Sequence, residues 1–160
     1  MKSDFVRVAV GILTGFLFYT VFSRISPFSL LFFNIFSLVI FYFAVEKGEI
    51  FGSCLGAACG LIQDYFSFGV YGVAGLAKTI SGYLAGYISK KIDIHPPIRN
   101  FFFLLILLSF ELILWGLLYS FIIPETLNTG GGLILLQPLI TAFLGSILFF
   151  LLRKLKKNKY

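Results

Sequence analysis

Charge is what this 160-residue sequence has least of: Asp, Glu, Lys and Arg make up only 12% of it, about half the share of a soluble domain. Too few polar residues remain to cover a water-facing surface, so lipid must serve as solvent. Histidine occurs once, as His95 in a loop before two prolines. HExxH, GxSxG and P-loop patterns are all missing, and no carboxylate pair lies on a water-accessible loop; enzyme activity, a metal centre and a bound cofactor are therefore not expected. Gly130-Gly-Gly132 has no Lys-Ser/Thr after it and reads as a flexible turn. The two cysteines, Cys54 and Cys59, match neither a CxxC pair nor a zinc half-site and read as small packing residues.

What the chain has instead is hydrophobic runs, with 59% apolar residues and 21 Phe. Six runs, at about 5–22, 28–45, 50–66, 69–89, 101–123 and 133–152, are each roughly 17 to 23 residues long, enough to cross a hydrocarbon core of about 30 Å. The breaks carry turn chemistry: Ser23–Pro27, Glu46–Glu49, Ser67–Gly69, Asp93–Pro97, and Pro124 with the glycine triplet. The expected architecture is all-α, one polytopic membrane domain over residues 1–160 in a six-helix bundle.

Orientation follows from the basic residues. Lys2, Arg7, Lys47, Lys90, Lys91, Arg99 and the five of the tail (Arg153, Lys154, Lys156, Lys157 and Lys159) fall on one side; Arg24 alone falls on the other. The positive-inside rule then places both termini in the cytoplasm, which requires an even number of spans. The net charge of +6 is thereby accounted for by membrane flanks, and no nucleic-acid-binding pattern appears. Tyr19, Tyr65, Tyr71 and Tyr119 sit near predicted outer ends, and Tyr42 and Tyr87 near inner ends, as interfacial rings should. The N-terminal run lacks a small-x-small cleavage site and is expected to be retained.

Small residues concentrate in the third and fourth runs. Gly52, Gly56 and Gly60 form two GxxxG steps, Gly82 and Gly86 a third, and Gly11 and Gly15 repeat the pattern in the first run. Such faces let helix backbones approach closely in lipid. Packing within the bundle is the expected use; for Gly11 and Gly15 an outward-facing use is equally open.

Three ionisable residues lie well inside runs. By helical rise Lys78 and Glu111 sit about 15 to 17 Å from the inner ends of their helices, and Asp64 about 21 Å. A charge at that depth costs a few kcal/mol and needs a partner. Lys78 is expected to pair with Glu111, Asp64 or both, either as a static tie that sets helix register or as part of a polar pocket or docking site. Gln63, Ser67, Thr79 and Ser81 could complete a lining, and Gln137-Pro138 could kink the sixth run.

Gly60-Leu-Ile-Gln-Asp64, a short turn, and then Gly72-Val-Ala-Gly-Leu-Ala-Lys-Thr-Ile-Ser-Gly-Tyr-Leu-Ala-Gly86 closely resemble the central segment of the bacterial rod shape-determining MreD family. There a G-x-x-x-D closes one helix and a glycine-marked turn opens the next; Gly60, Asp64 and Gly72 match those places. The resemblance implies a non-enzymatic component of the cell-elongation machinery in the bacterial cytoplasmic membrane. It also implies a bitopic scaffold partner, MreC, and through it MreB filaments, a SEDS polymerase and a class B penicillin-binding protein. The implied fold is similar to the substrate-binding subunits of energy-coupling-factor transporters. That likeness leaves a second expectation, a small-solute-binding transporter subunit, against which the short outer loops weigh. Under either reading Asp64, Lys78, Glu111, Gln63, Gly72, Gly82 and Gly86 are the candidate partner or pocket residues.

Overall fold

The computed structural model describes residues 11, 13–17, 20, 34–67, 70–94, 96–123 and 136–157. Among these residues there are no strands. Residues 13–17 are helical, and five longer helices follow: α1 (Ile35–Lys47), α2 (Glu49–Ser67), α3 (Val73–Ser89), α4 (Pro97–Ile122) and α5 (Gln137–Lys157).

Local chemistry sets most of the helix ends. Asn34 caps α1, its side chain accepting from the Ser37 amide at 3.3 Å. Gly48 ends α1 at φ 97°, a conformation that only glycine adopts freely, so the chain reverses and α2 starts on the next residue. At the α3 entrance Gly72 takes the left-handed conformation at φ 93°. Pro97 opens α4, where its missing N–H has no intrahelical partner to lose.

Two helix starts differ from the apolar runs. The fourth run is expected from Gly69, whereas its helix starts at Val73, after a turn at Tyr71 and Gly72. α4 starts at Pro97 rather than at Phe101, since the diproline and Arg99-Asn100 form a polar first turn that hydropathy does not detect. Pro138 falls in the first turn of α5, a position that proline tolerates, and the preceding residues on which a kink depends lie outside the described residues.

α1 is the central helix, burying Phe36, Leu38, Ile40, Phe41, Phe43 and Ala44. Tyr42, which is half-buried, packs edge-on against Phe149 of α5 at 5.4 Å between ring centroids. Tyr65, Tyr71 and Tyr87 are exposed, Tyr119 is half-buried, and Tyr19 lies outside the described residues.

The closest packing is between antiparallel α2 and α3, and glycine makes it possible. Gly52 faces the backbone of Gly82, Gly56 faces that of Lys78 and Thr79, Gly60 faces Ala74 and Gly75, and Gly86 faces Gly48 and Glu49. A methyl group at Gly60 would stand 2.5 Å from the Gly75 Cα, which no real contact tolerates. Gly82 and Gly86 are therefore packing residues within the bundle, not a partner surface. Gly11 and Gly15 also turn inward, against Phe43, Val39 and Ile35 of α1. At the far end of the hairpin Lys90 pairs with Glu49 at 2.5 Å, and its ammonium holds the Glu49 carboxyl below the usual range.

α4 is inside out by the standards of a soluble helix. Its outer stripe, Ile98, Phe102, Ile106, Phe110, Ile113, Leu117 and Phe121, is exposed and wholly apolar, whereas its inner stripe buries Asn100 and Glu111. At 1.5 Å per residue its 26 residues span about 39 Å, more than a hydrocarbon core requires. Among the described residues it is the one helix both long and apolar enough to cross a membrane, and only 28% of its most apolar stretch is buried, unlike a soluble core helix. The apolar part of α5, Gln137–Leu152, is shorter.

Candidate functional site

Lys78 lies in the second turn of α3 and is 1% exposed. Its ammonium donates to Glu111 Oε1 of α4 at 2.5 Å, to Ser37 Oγ at 2.6 Å and to Asn34 Oδ1 at 3.2 Å. All three ammonium protons are thereby used. Glu111 Oε1 also accepts from Ser37 Oγ at 2.6 Å and from Asn34 Nδ2 at 3.2 Å. The backbone N–H of Asn34 donates to Thr141 Oγ1 of α5 at 3.3 Å. One buried network thus joins α1, α3, α4 and α5, and the positive end of the α1 dipole adjoins the carboxylate.

Of the two candidate partners for Lys78, Glu111 is the one it meets. Asp64 is committed elsewhere. It projects from the last turn of α2, 4% exposed, and accepts from the amides of Gly72 at 2.9 Å, Gly75 at 3.1 Å and Ala74 at 3.2 Å. These are N–H groups at the α3 N-terminus that no intrahelical carbonyl can satisfy, and Gly72 has no side chain to cap them. Asp64 is therefore a cap supplied from the preceding helix. The spacing of Gly60 and Asp64 now has a mechanical meaning: four residues apart on one face of α2, the glycine admits the α3 backbone and the carboxylate captures its free amides. Asp64→Ala should cost about 1.5–3 kcal/mol, as loss of hydrogen bonds to a charged group does, while Asp64→Asn retains part of it. Thermal unfolding in detergent reads both; an Asp64→Ala protein as stable as wild type would rule the cap out.

Thr79 and Ser81 do not line a pocket: their hydroxyls donate back to the carbonyls of Gly75 and Lys78. The side chain of Ser67 lies outside the described residues. Gln63 does face a cavity. About 180 Å³ of space opens beside the ion pair, bounded by Asn34, Gln63, Lys78, Glu111, Trp115 and Gln137, with Ala74, Ala77, Leu108, Leu112 and Pro138 as its apolar wall. A smaller space of about 70 Å³ adjoins it through Gln63, Ala74 and Trp115, and reaches Asp64 and Tyr119. Trp115 and Tyr119 stack at 5.3 Å between ring centroids.

Asn34 and Ser37 escaped the sequence reading because they sit within the apolar run Leu-Phe-Phe-Asn-Ile-Phe-Ser. The spacing of a helix cap and its third residue was the available signal. Among the described residues no cluster of His, Cys, Asp and Glu could hold a metal ion.

A family model described as rod shape-determining protein MreD matches residues 2–158, essentially the whole chain. No curated protein and no solved structure matches significantly. With the whole chain matched, and with charges paired inside a helical packing whose outer stripes are apolar, this protein belongs to the MreD family of rod shape-determining membrane proteins.

Proposed function

We propose that this protein is a non-enzymatic membrane scaffold of the bacterial elongation complex. The match of a rod shape-determining family over residues 2–158 carries the reading. In it the chain crosses the cytoplasmic membrane six times with both termini inside, binds the single span of an MreC-like protein and so helps to position peptidoglycan synthesis. MreB filaments, a SEDS polymerase and a class B penicillin-binding protein are reached through that partner.

The exposed apolar stripes support a lateral docking role. On α3, Leu76, Ile80, Tyr83 and Tyr87 follow one another at helical spacing, and on α4 the stripe runs from Ile98 to Phe121. A partner helix in lipid packs on such a stripe through dispersion contacts. The buried Lys78–Glu111 pair is then the device that holds these surfaces in register. Its charges face inward and are not offered to the partner.

Affinity purification of tagged protein in mild detergent, followed by mass spectrometry, tests the reading. The wild type should bring down an MreC-like protein. Lys78→Met should lose it through unfolding, and Lys78→Met with Glu111→Leu should regain part of it. Recovery of an ATPase coupling subunit instead would overturn the scaffold and establish the transporter alternative.

A further inference from the structure

The cavity beside the ion pair has a chemical asymmetry that the pair does not explain. Glu111 Oε1 receives three donors, yet Oε2 of the same carboxylate, on a residue 5% exposed, has no partner among the described residues. The side-chain oxygen of Gln63, on the wall of the same cavity, is also buried without a partner. Lys78 has no proton left to give them. The space therefore presents unfilled acceptors and calls for an occupant that donates.

Charge and size narrow the class. Lys78 already compensates the charge of Glu111, so a cationic occupant would compete with a buried ammonium held by three hydrogen bonds, and an anion would face two bare oxygens. A neutral donor meets neither obstacle. A cavity of about 150 Å³ accepts a benzene-sized ring, so about 180 Å³ accepts one six-membered ring with substituents. Filling it with water takes about six molecules at ~30 Å³ each, and each needs two to four polar partners. Glu111 Oε2, Gln63 Oε1 and the side chain of Gln137 offer polar partners on one side only, and the opposite wall of Trp115, Leu108, Leu112, Ala74 and Ala77 offers an apolar face that a ring covers and water does not.

We propose that this cavity binds a neutral, hydroxyl-bearing ring of monosaccharide size. Its hydroxyls donate to Glu111 Oε2 and Gln63 Oε1, and its apolar face lies on Trp115. The ring arrives either as a free sugar or as the headgroup of a glycolipid. The inference goes beyond the scaffold reading and does not depend on it.

The chain contains one tryptophan, so fluorescence excited at wavelengths that its eight tyrosines do not absorb reports on this wall alone. The protein is purified in lauryldimethylamine oxide, a detergent without a sugar head, and titrated with methyl β-glucoside. A parallel sample in nanodiscs is titrated with monoglucosyldiacylglycerol. A saturable change in Trp115 emission is expected with at least one of the two, and which one saturates identifies the source of the ring. Gln63→Leu removes one acceptor without touching the ion-pair network, and should weaken that binding by about fivefold or more at unchanged heat stability. Glu111→Gln should weaken it further where the variant folds. Three results would each overturn the proposal: no saturable change with either probe, which leaves the cavity to water; saturation by methylammonium chloride instead; or the same titration curve in Gln63→Leu as in wild type.

Discussion

Lys78→Met should destabilise the purified protein by about 3–5 kcal/mol, the loss expected when one member of a buried ion pair is removed. The methionine fills most of the volume but leaves Glu111 as an uncompensated carboxylate, with only the Ser37 hydroxyl and the Asn34 amide to donate to it. Glu111→Leu should cost a similar amount by stranding the ammonium against two neutral oxygens. The joint replacement is the informative one. With both charges gone neither desolvation cost remains, and the double variant should regain roughly half or more of what either single change loses. Thermal unfolding followed by helix circular dichroism in detergent measures all three. A Lys78→Met protein that melts with the wild type would mean that the pair does not hold the bundle together.

The second large effect is expected at Gly56. A side chain there meets the carbonyl of Lys78 and the Cα of Thr79, which are backbone atoms that no rotamer change can move aside. Gly56→Ala must push α3 away from α2, at about 1–3 kcal/mol or more, and Gly56→Leu should abolish folding. Because the displaced backbone is that of Lys78 itself, the shift also pulls the ammonium from Glu111. Gly116, on α4, is the control: a methyl group there has nothing within 4 Å, and Gly116→Ala should gain about 0.5–1 kcal/mol from helix propensity alone. The yield of monodisperse protein on size exclusion separates these cases. Equal yields for Gly56→Leu and Gly116→Ala would refute the close α2–α3 contact.

Both results turn on one feature, the coupling of glycine packing to the charge network. α2 can lie flush on α3 only through Gly52, Gly56 and Gly60, and that approach sets the depth and direction from which Lys78 reaches α1 and α4. The Asp64 cap fixes the same hairpin at its other end. A helical bundle whose surfaces are apolar stripes needs such an interior, since contacts with lipid tails specify no register between helices.

That the described residues are helical was written in the sequence, because run length, apolarity and punctuation by Gly and Pro are local properties; the starts of α3 and α4 were not, because a turn and a polar first turn set them. The hairpin α2–α3, the glycine steps at 52–60 and 82–86, and the need of Lys78 for a carboxylate could all be read from spacing and cost. Which carboxylate it takes could not. Asp64 and Glu111 are both within plausible reach of a Lys side chain, and only the packing showed that Asp64 is consumed by the free amides of α3. Asn34 and Ser37 were equally hidden, since a polar residue in an apolar run gains meaning only from what another helix brings beside it. Sequence thus determined the elements and the charges that had to be satisfied. Tertiary structure decided the pairings, and with them the cavity, because a buried hydrogen bond depends on distances between helices that no local pattern encodes.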